Sequence, residues 1–80
     1  MKIYTLTITD ENAEVYRTKA FHTFKDAQVA MRKEYELERD DYYYENMLIS
    51  SEINDFFARV YYGDKKHFTA WTITAAKLEE

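Results

Sequence analysis

The hydrophobic period of the chain changes twice, and this change limits the folds that are open to it. Residues 2–9 alternate with a period of two, which places Tyr4, Leu6 and Ile8 on one face of a strand. Residues 24–40 instead repeat apolar side chains at helical spacing, and the last 25 residues return to strand chemistry. This order predicts an α+β domain with sheet segments at both ends and helix between them.

The strand segments at both ends are predicted to form hairpins. Residues 10–12 form a polar turn, after which residues 13–21 pair back on residues 2–9. Residues 56–62 and 67–76 are rich in aromatic residues, Val, Ile and Thr, and they flank the turn Gly63-Asp64-Lys65-Lys66. Together the two hairpins predict an antiparallel sheet of about four strands.

The predicted helix has a clear start. Thr23 and Asp26 have the spacing of a capping box, in which the hydroxyl accepts a free N–H at the helix start. The apolar residues that follow at helical spacing are Phe24, Ala27, Met31 and Tyr35. A helix over residues 24–40 would pack this stripe against one face of the sheet.

Residues 42–55 have neither period, and no Pro or Gly marks a boundary among them. We expect the helix to continue, or a second short helix to form, to about Ile49, followed by a loop. The predicted order is therefore β-β-α-(α)-β-β, with helix packed on one face of the sheet.

Composition predicts one compact domain over residues 1–80. The chain has no Pro, one Gly and 46% apolar residues, whereas linkers are normally rich in Pro, Gly or Ser. The absence of Cys excludes disulfides and thiolate zinc sites and suits a reducing compartment. The N-terminus has no apolar signal segment, and 18 consecutive apolar residues occur nowhere, so we expect a cytoplasmic protein with no membrane contact.

Charge is polarised along the chain. Residues 34–55 carry eight acidic residues and one basic residue, Arg39, which gives a net charge of -7 in that stretch. The other 58 residues have a net charge of +3. An acidic block on a weakly basic remainder indicates a surface that meets a positively charged partner.

The candidate partner-binding residues are acids and tyrosines of this block: Glu34, Glu36, Glu38, Asp40, Asp41, Tyr42, Tyr43, Tyr44 and Glu45. On a helix the acids form two edges, Glu34/Glu38/Asp41/Glu45 and Glu36/Asp40, loosely like two rows of phosphates. Like-charge pairs at i,i+4 each cost about 0.2–0.5 kcal/mol, so helix stability alone does not favour this pattern. The alternative is a solvated face that keeps a small protein soluble.

These residues favour a non-enzymatic binding protein without a cofactor or metal. One hypothesis is an inhibitor that mimics nucleic acid and blocks the basic site of a nuclease or another nucleic-acid-binding protein, as small anti-defence proteins of phages and mobile elements do. A direct nucleic-acid binder is not expected at pI 5.1. An enzyme would have to depend on carboxylates, since the only histidines are His22 and His67.

The second hypothesis is a regulatory interaction or homodimerisation domain. It would associate through an exposed strand edge or through aromatic surfaces. The aromatic residues concerned are Phe56, Phe57, Tyr61, Tyr62 and Trp71.

Overall fold

The computed structural model describes residues 2–63 and 67–77. The elements in chain order are β1 (Lys2–Asp10), β2 (Val15–Phe21), α1 (Phe24–Tyr44), β3 (Leu48–Ile53), β4 (Phe57–Tyr62) and β5 (His67–Lys77). The strands form one antiparallel sheet in the order β2-β1-β5-β4-β3, and α1 packs on one face of it. The predicted α+β class with helix on one face is confirmed, but the sheet has five strands where about four were expected.

The extra strand comes from the segment that had no clear period. α1 continues to Tyr44, and Asn46 adopts a positive φ of 58° just after it. The chain then reverses and pairs along β4, with Ser51 opposite Val60. The expected continuation of the helix past residue 40 is confirmed as far as Tyr44, but helix to about Ile49 and a loop after it are wrong, because β3 occupies Leu48–Ile53. A register shift between Leu48 and Ser50 interrupts the two-residue alternation, which removes the strand period from the sequence.

Both predicted hairpins are present. β2 begins at Val15, two residues later than expected, and the Asp10 carboxylate closes the turn by accepting the N–H groups of Asn12 and Glu14 at 2.9 and 3.0 Å. β4 pairs with β5, and Gly63 has a φ of +72° at the start of their connection, where a side chain would be strained. The other residues of that predicted turn, 64–66, lie outside the described residues.

The core lies between the sheet and α1. Leu6 and Ile8 face Ile73 and Trp71 across the two central strands, so the alternation of β1 supplies one wall. The helix supplies the other wall with Ala27, Met31 and Tyr35, as its spacing indicates. At the N-terminal end of α1, Thr23 caps the helix, and its Oγ1 accepts the N–H of Asp26 at 3.1 Å.

A T-shaped contact joins these walls. The Tyr35 ring meets the Trp71 ring edge-on, with ring centroids 6.1 Å apart. The Tyr35 hydroxyl donates to Ser51 Oγ at 3.0 Å. This hydrogen bond also links α1 to β3, the strand that the sequence analysis did not predict. Tyr35 is therefore a core residue with a satisfied hydroxyl, in agreement with its place in the predicted apolar stripe of the helix.

The other side of the sheet, which we call the open face, has no second layer over it in the described part of the chain. Its residues are those that alternate with the core positions: Ile3, Thr5, Thr7, Thr9, Val15, Thr18, Ala20, Ser50, Glu52, Phe57, Arg59, Tyr61, Phe68, Ala70, Thr72, Thr74 and Ala76. Threonine dominates its centre, and aromatic side chains with Arg59 gather at one end.

Candidate functional site

The acidic region, residues 34–45, occupies the last three turns of α1 and its C-cap, Glu45. Since two residues of a helix turn the side-chain direction by about 200°, neighbouring acids diverge to different sides of the helix. Glu34, Glu38, Asp41 and Glu45 line a groove beside β1 and β2. Glu36 and Asp40 line a second groove beside the end of β3. The acids therefore lie along two edges, as their spacing indicates.

Arginines neutralise three of these acids. The pairs are Arg17 with Glu34, Arg32 with Glu36 at 3.8 Å, and Arg39 with Asp40 at 3.2 Å. Arg17 reaches Glu34 from the edge strand β2, so this pair depends on the tertiary fold. The charge that a partner meets is consequently smaller than the sequence total, and the comparison with two phosphate rows is weakened on both edges.

Glu38 points toward the sheet and serves an internal role. Its Oε1 accepts a hydrogen bond from Thr69 Oγ1 at 2.9 Å and one from the Tyr42 hydroxyl at 3.4 Å. Burial raises the pKa of Glu38 above its ordinary value of 4.5, and the two hydrogen bonds offset part of that rise. The native state thus holds this proton to higher pH than the unfolded state does. The stabilising contribution of protonated Glu38 is present below pH 4.5 and is lost as pH rises through the native pKa.

Replacing Thr69 by Val is expected to raise the pKa of Glu38 further. The substitution keeps the shape of the side chain but removes a donor to the charged carboxylate, so protonation becomes more favourable. A carbon-detected NMR titration of the Glu38 carboxyl group measures this. Thr72→Val on the open face is the matched control and should leave the titration unchanged. A pKa of Glu38 that Thr69→Val leaves unmoved would contradict the hydrogen bond.

The three consecutive tyrosines have different environments. Tyr42 is half-buried and stacks on Tyr62, with ring centroids 4.0 Å apart and planes 6° from parallel, and burial raises its pKa. Tyr43 and Tyr44 are 66% and 81% exposed and touch each other in a T-shaped pair. Tyr43 and Tyr44 therefore remain candidate binding residues, and Tyr42 is a packing residue.

The exposed end of the helix, which we call the α1 tip, consists of Asp41, Tyr43, Tyr44 and Glu45. Neither Asp41 nor Glu45 has an ion-pair partner among the residues that the structure describes. The last turn of α1 contains no basic residue, so the negative end of the helix dipole adds to the potential of these carboxylates. Of the predicted binding residues, these four lie exposed at the C-terminal end of α1, where Asp41 and Glu45 line the groove beside β1 and β2 and Tyr43 and Tyr44 line a depression beside β3.

The sequence analysis missed the apolar border of the α1 tip. Tyr43 and Tyr44 line a shallow depression of about 430 Å³ together with Asn46, Leu48 and Ile49. Met47 and Ile49 are both partly exposed beside it. Only the correct placement of β3 brings these side chains to the tip. The signal available in the sequence was the run of large apolar residues Met47, Leu48 and Ile49 directly after the acidic region.

The aromatic set proposed for self-association does not form a single surface. Trp71 is 1% exposed and belongs to the core, and Tyr62 lies on the helix side against Tyr42. Phe57 and Tyr61 instead point to the open face. Phe56 is exposed near the start of α1. Alternation in β4 and β5 separates neighbouring aromatic residues onto opposite faces, which excludes Trp71 and Tyr62 from a shared patch.

A scan of protein-family models, a search of curated proteins and a search of solved structures found no match to the chain. Within residues 2–63 and 67–77, no group of three or more His, Cys, Asp or Glu side chains is placed to hold a metal ion. In the same part of the chain, no helix combines the length and apolar character needed to cross a membrane. α1 is long enough, but it is heavily charged.

Proposed function

We propose that this protein is a small non-enzymatic binding protein that attaches to a basic surface of a protein partner through the α1 tip. The observation that carries the proposal is that two carboxylates without an ion-pair partner among the described residues and two highly exposed tyrosines all lie at the negative end of one helix. Asp41 and Glu45 supply the charge, and Tyr43 and Tyr44 supply the contact area.

The two kinds of side chain have complementary roles in this proposal. Carboxylates at the C-terminal end of a helix increase the negative potential there and attract a Lys- or Arg-rich surface over a range of about 8 Å at physiological salt. Exposed tyrosines provide rigid area with a hydroxyl donor, and they are among the residues that contribute most to binding at protein interfaces. The apolar border at Met47 and Ile49 extends the area available for contact.

We further propose that the partner is a nucleic-acid-binding protein, and that the α1 tip occupies its phosphate-binding site. A site that neutralises phosphates with Lys and Arg attracts closely spaced carboxylates by the same salt-dependent interaction. An inhibitor of a nuclease, of the anti-defence kind, would work in this way. Support comes from the small size, the polarised charge and the exposure of the tip.

A tagged pull-down from host-cell lysate at about 0.15 M salt tests this proposal. The test variant is Asp41→Asn/Glu45→Gln, which removes two charges at the tip. The control variant is Glu14→Gln/Asp55→Asn, which removes two exposed charges elsewhere and has the same net charge. Circular dichroism first establishes that all three proteins fold.

We expect the wild type and the control variant to capture the same partner, and the tip variant to lose it. Excess double-stranded DNA should displace the partner from the wild type if its nucleic-acid site is the one occupied. Equal capture by both variants would contradict a role for the tip. If the tip variant loses the partner but excess DNA does not displace it from the wild type, the tip binds the partner at a site other than its nucleic-acid site.

A further inference from the structure

The open face has the composition of a protein contact surface. Its centre consists of threonine rows on β1 and β5, including Thr7 opposite Thr72. The charged residues on it, among the described strand residues, are Arg59 and its cross-strand neighbour Glu52. A face with one positive and one negative group has few charges, whereas α1 alone carries six acidic and four basic side chains. Depletion of charge at the centre of a patch is typical of protein interfaces.

One end of the open face carries a prearranged group of anchor side chains. The Arg59 guanidinium lies 5.7 Å from the centre of the Phe57 ring and 5.5 Å from that of Phe68, and its Nη1 donates to the Tyr61 hydroxyl at 3.3 Å. The Tyr61 and Phe68 rings are 5.5 Å apart. Arginine and aromatic residues held in fixed positions are the side chains that most often dominate the binding energy of an interface.

The size of the open face fits a stable interface. Five strands spaced by about 4.8 Å, each six to eleven residues long, span roughly 600 Å² in projection. Side chains make the accessible area larger than this projection. A standard protein interface buries about 800 Å² on each partner, so the open face alone provides most or all of the required area.

We propose that the open face binds a second copy of this chain, so that two sheets pack face to face. Electrostatics favours this arrangement over contact through α1, because α1 carries six acidic and four basic side chains and its C-cap, Glu45, adds a further acid, so that two helices in contact would repel each other. With sheets about 10 Å apart and each helix about 10 Å beyond its sheet, the two helices are roughly 30 Å apart. That separation exceeds the screening length of about 8 Å several times over. A single Arg59 with a neighbouring Glu52 also gives too little positive charge for nucleic acid on this face.

This self-association goes beyond the partner proposed for the α1 tip and leaves both tips exposed on opposite sides of the dimer. Each tip then meets a partner independently. The Asp41→Asn/Glu45→Gln variant should therefore remain dimeric, and a failed partner test at the tip would leave the dimer proposal standing.

Sedimentation equilibrium over a range from micromolar to sub-millimolar protein tests the proposal with two variants that add the same charge. Thr72→Glu places a carboxylate at the centre of the open face, where dimerisation would bury it, and should weaken the dimer about tenfold or more. Val29→Glu places a carboxylate on the outer face of α1, where Val29 is 58% exposed, and should leave the dimer unchanged. Circular dichroism verifies that each variant folds.

A second measurement covers the case in which Thr72→Glu does not fold. The chain has no cysteine, so Val29→Cys gives a single site for a spin label. Pulsed electron resonance on the labelled dimer should give a distance of roughly 30 Å or more, because the helices lie on opposite outer faces. A label distance under about 20 Å would place the interface at α1 and overturn the proposal.

Three other results would also overturn it. The first is a wild type that stays monomeric at every concentration. The second is a dimer that Val29→Glu disrupts, or that Thr72→Glu leaves intact. The third is a monomer that binds a fluorescent single-stranded oligonucleotide and loses it on Thr72→Glu, which would assign the open face to nucleic acid.

Discussion

Replacing Leu6 by Ala is expected to lower the free energy of unfolding by about 3 kcal/mol, within the range of 2–5 kcal/mol found for buried leucines. Leu6 is 0% exposed, lies on a central strand opposite Ile73 and contributes to the wall that faces α1. An 80-residue domain has a total stability of roughly 4–12 kcal/mol. The substitution therefore removes a large fraction of it, and the variant should be partly unfolded under mild denaturing conditions.

The matched control is Leu37→Ala, which deletes the same atoms from the outer face of α1. Leu37 is 61% exposed, so its truncation should change the free energy of unfolding by less than about 0.5 kcal/mol. Urea titration measures both variants, and the single tryptophan, Trp71, reports unfolding through its fluorescence because it is buried in the core. Similar losses for both variants would contradict the assignment of the Leu6 face to the core.

The elements predicted correctly from sequence are those that local residues determine. Thr23 and Asp26 mark the start of α1, and the structure has the capping hydrogen bond between them. The alternation of residues 2–9 gives the buried face of β1 because its register has no irregularity until Ile8/Thr9. The start of α1 and the buried face of β1 could be predicted because tertiary contacts agree with the local capping signal and with the uninterrupted alternation.

β3 could not be predicted in this way because it lies at the sheet edge with a register shift near its start. The shift between Leu48 and Ser50 puts Ile49 out of the alternating pattern. An edge strand also has one exposed side and one pairing neighbour, so its side chains need not be apolar. The position of β3 depends on its long-range pairing with β4, which no local signal encodes.

The acidic region shows the same limit for the candidate site. Helical spacing predicts that its acids form two edges, but the neutralisation of Glu34 by Arg17 requires β2 to lie beside α1. Similarly, Glu38 is a good surface candidate by sequence, and only the position of Thr69 on β5 makes it an internal acceptor. Charge counted along a chain therefore overestimates the charge that a partner meets, since ion pairs and internal hydrogen bonds between distant segments reduce it.

Because a partner meets fewer charges than the sequence contains, the salt dependence of the proposed complex can be estimated from the carboxylates of the α1 tip. Raising the salt concentration from about 0.05 M to about 0.2 M should weaken wild-type binding to the partner by about tenfold if Asp41 and Glu45 each contact a basic residue. The Asp41→Asn/Glu45→Gln variant should bind more weakly at low salt and lose affinity less steeply. Each lost ionic contact reduces the slope of log affinity against log salt by about one. Isothermal titration calorimetry with the purified partner at four or more salt concentrations gives these slopes.

The tyrosines provide the counterpart of this measurement, because their contribution does not depend on counterions. Tyr44→Ala should weaken binding at every salt concentration by a similar factor, since it removes contact area at a site that is 81% exposed in the free protein, and leave the slope unchanged. The charge-matched Glu14→Gln/Asp55→Asn variant should keep both the affinity and the slope of the wild type. If that control lost slope as much as the tip variant, attraction would come from net charge alone, and the α1 tip would have no specific role. If the slope changes only in the Asp41→Asn/Glu45→Gln variant, these two side chains provide the ionic attraction. If Tyr44→Ala lowers the affinity without changing the slope, Tyr44 provides contact area.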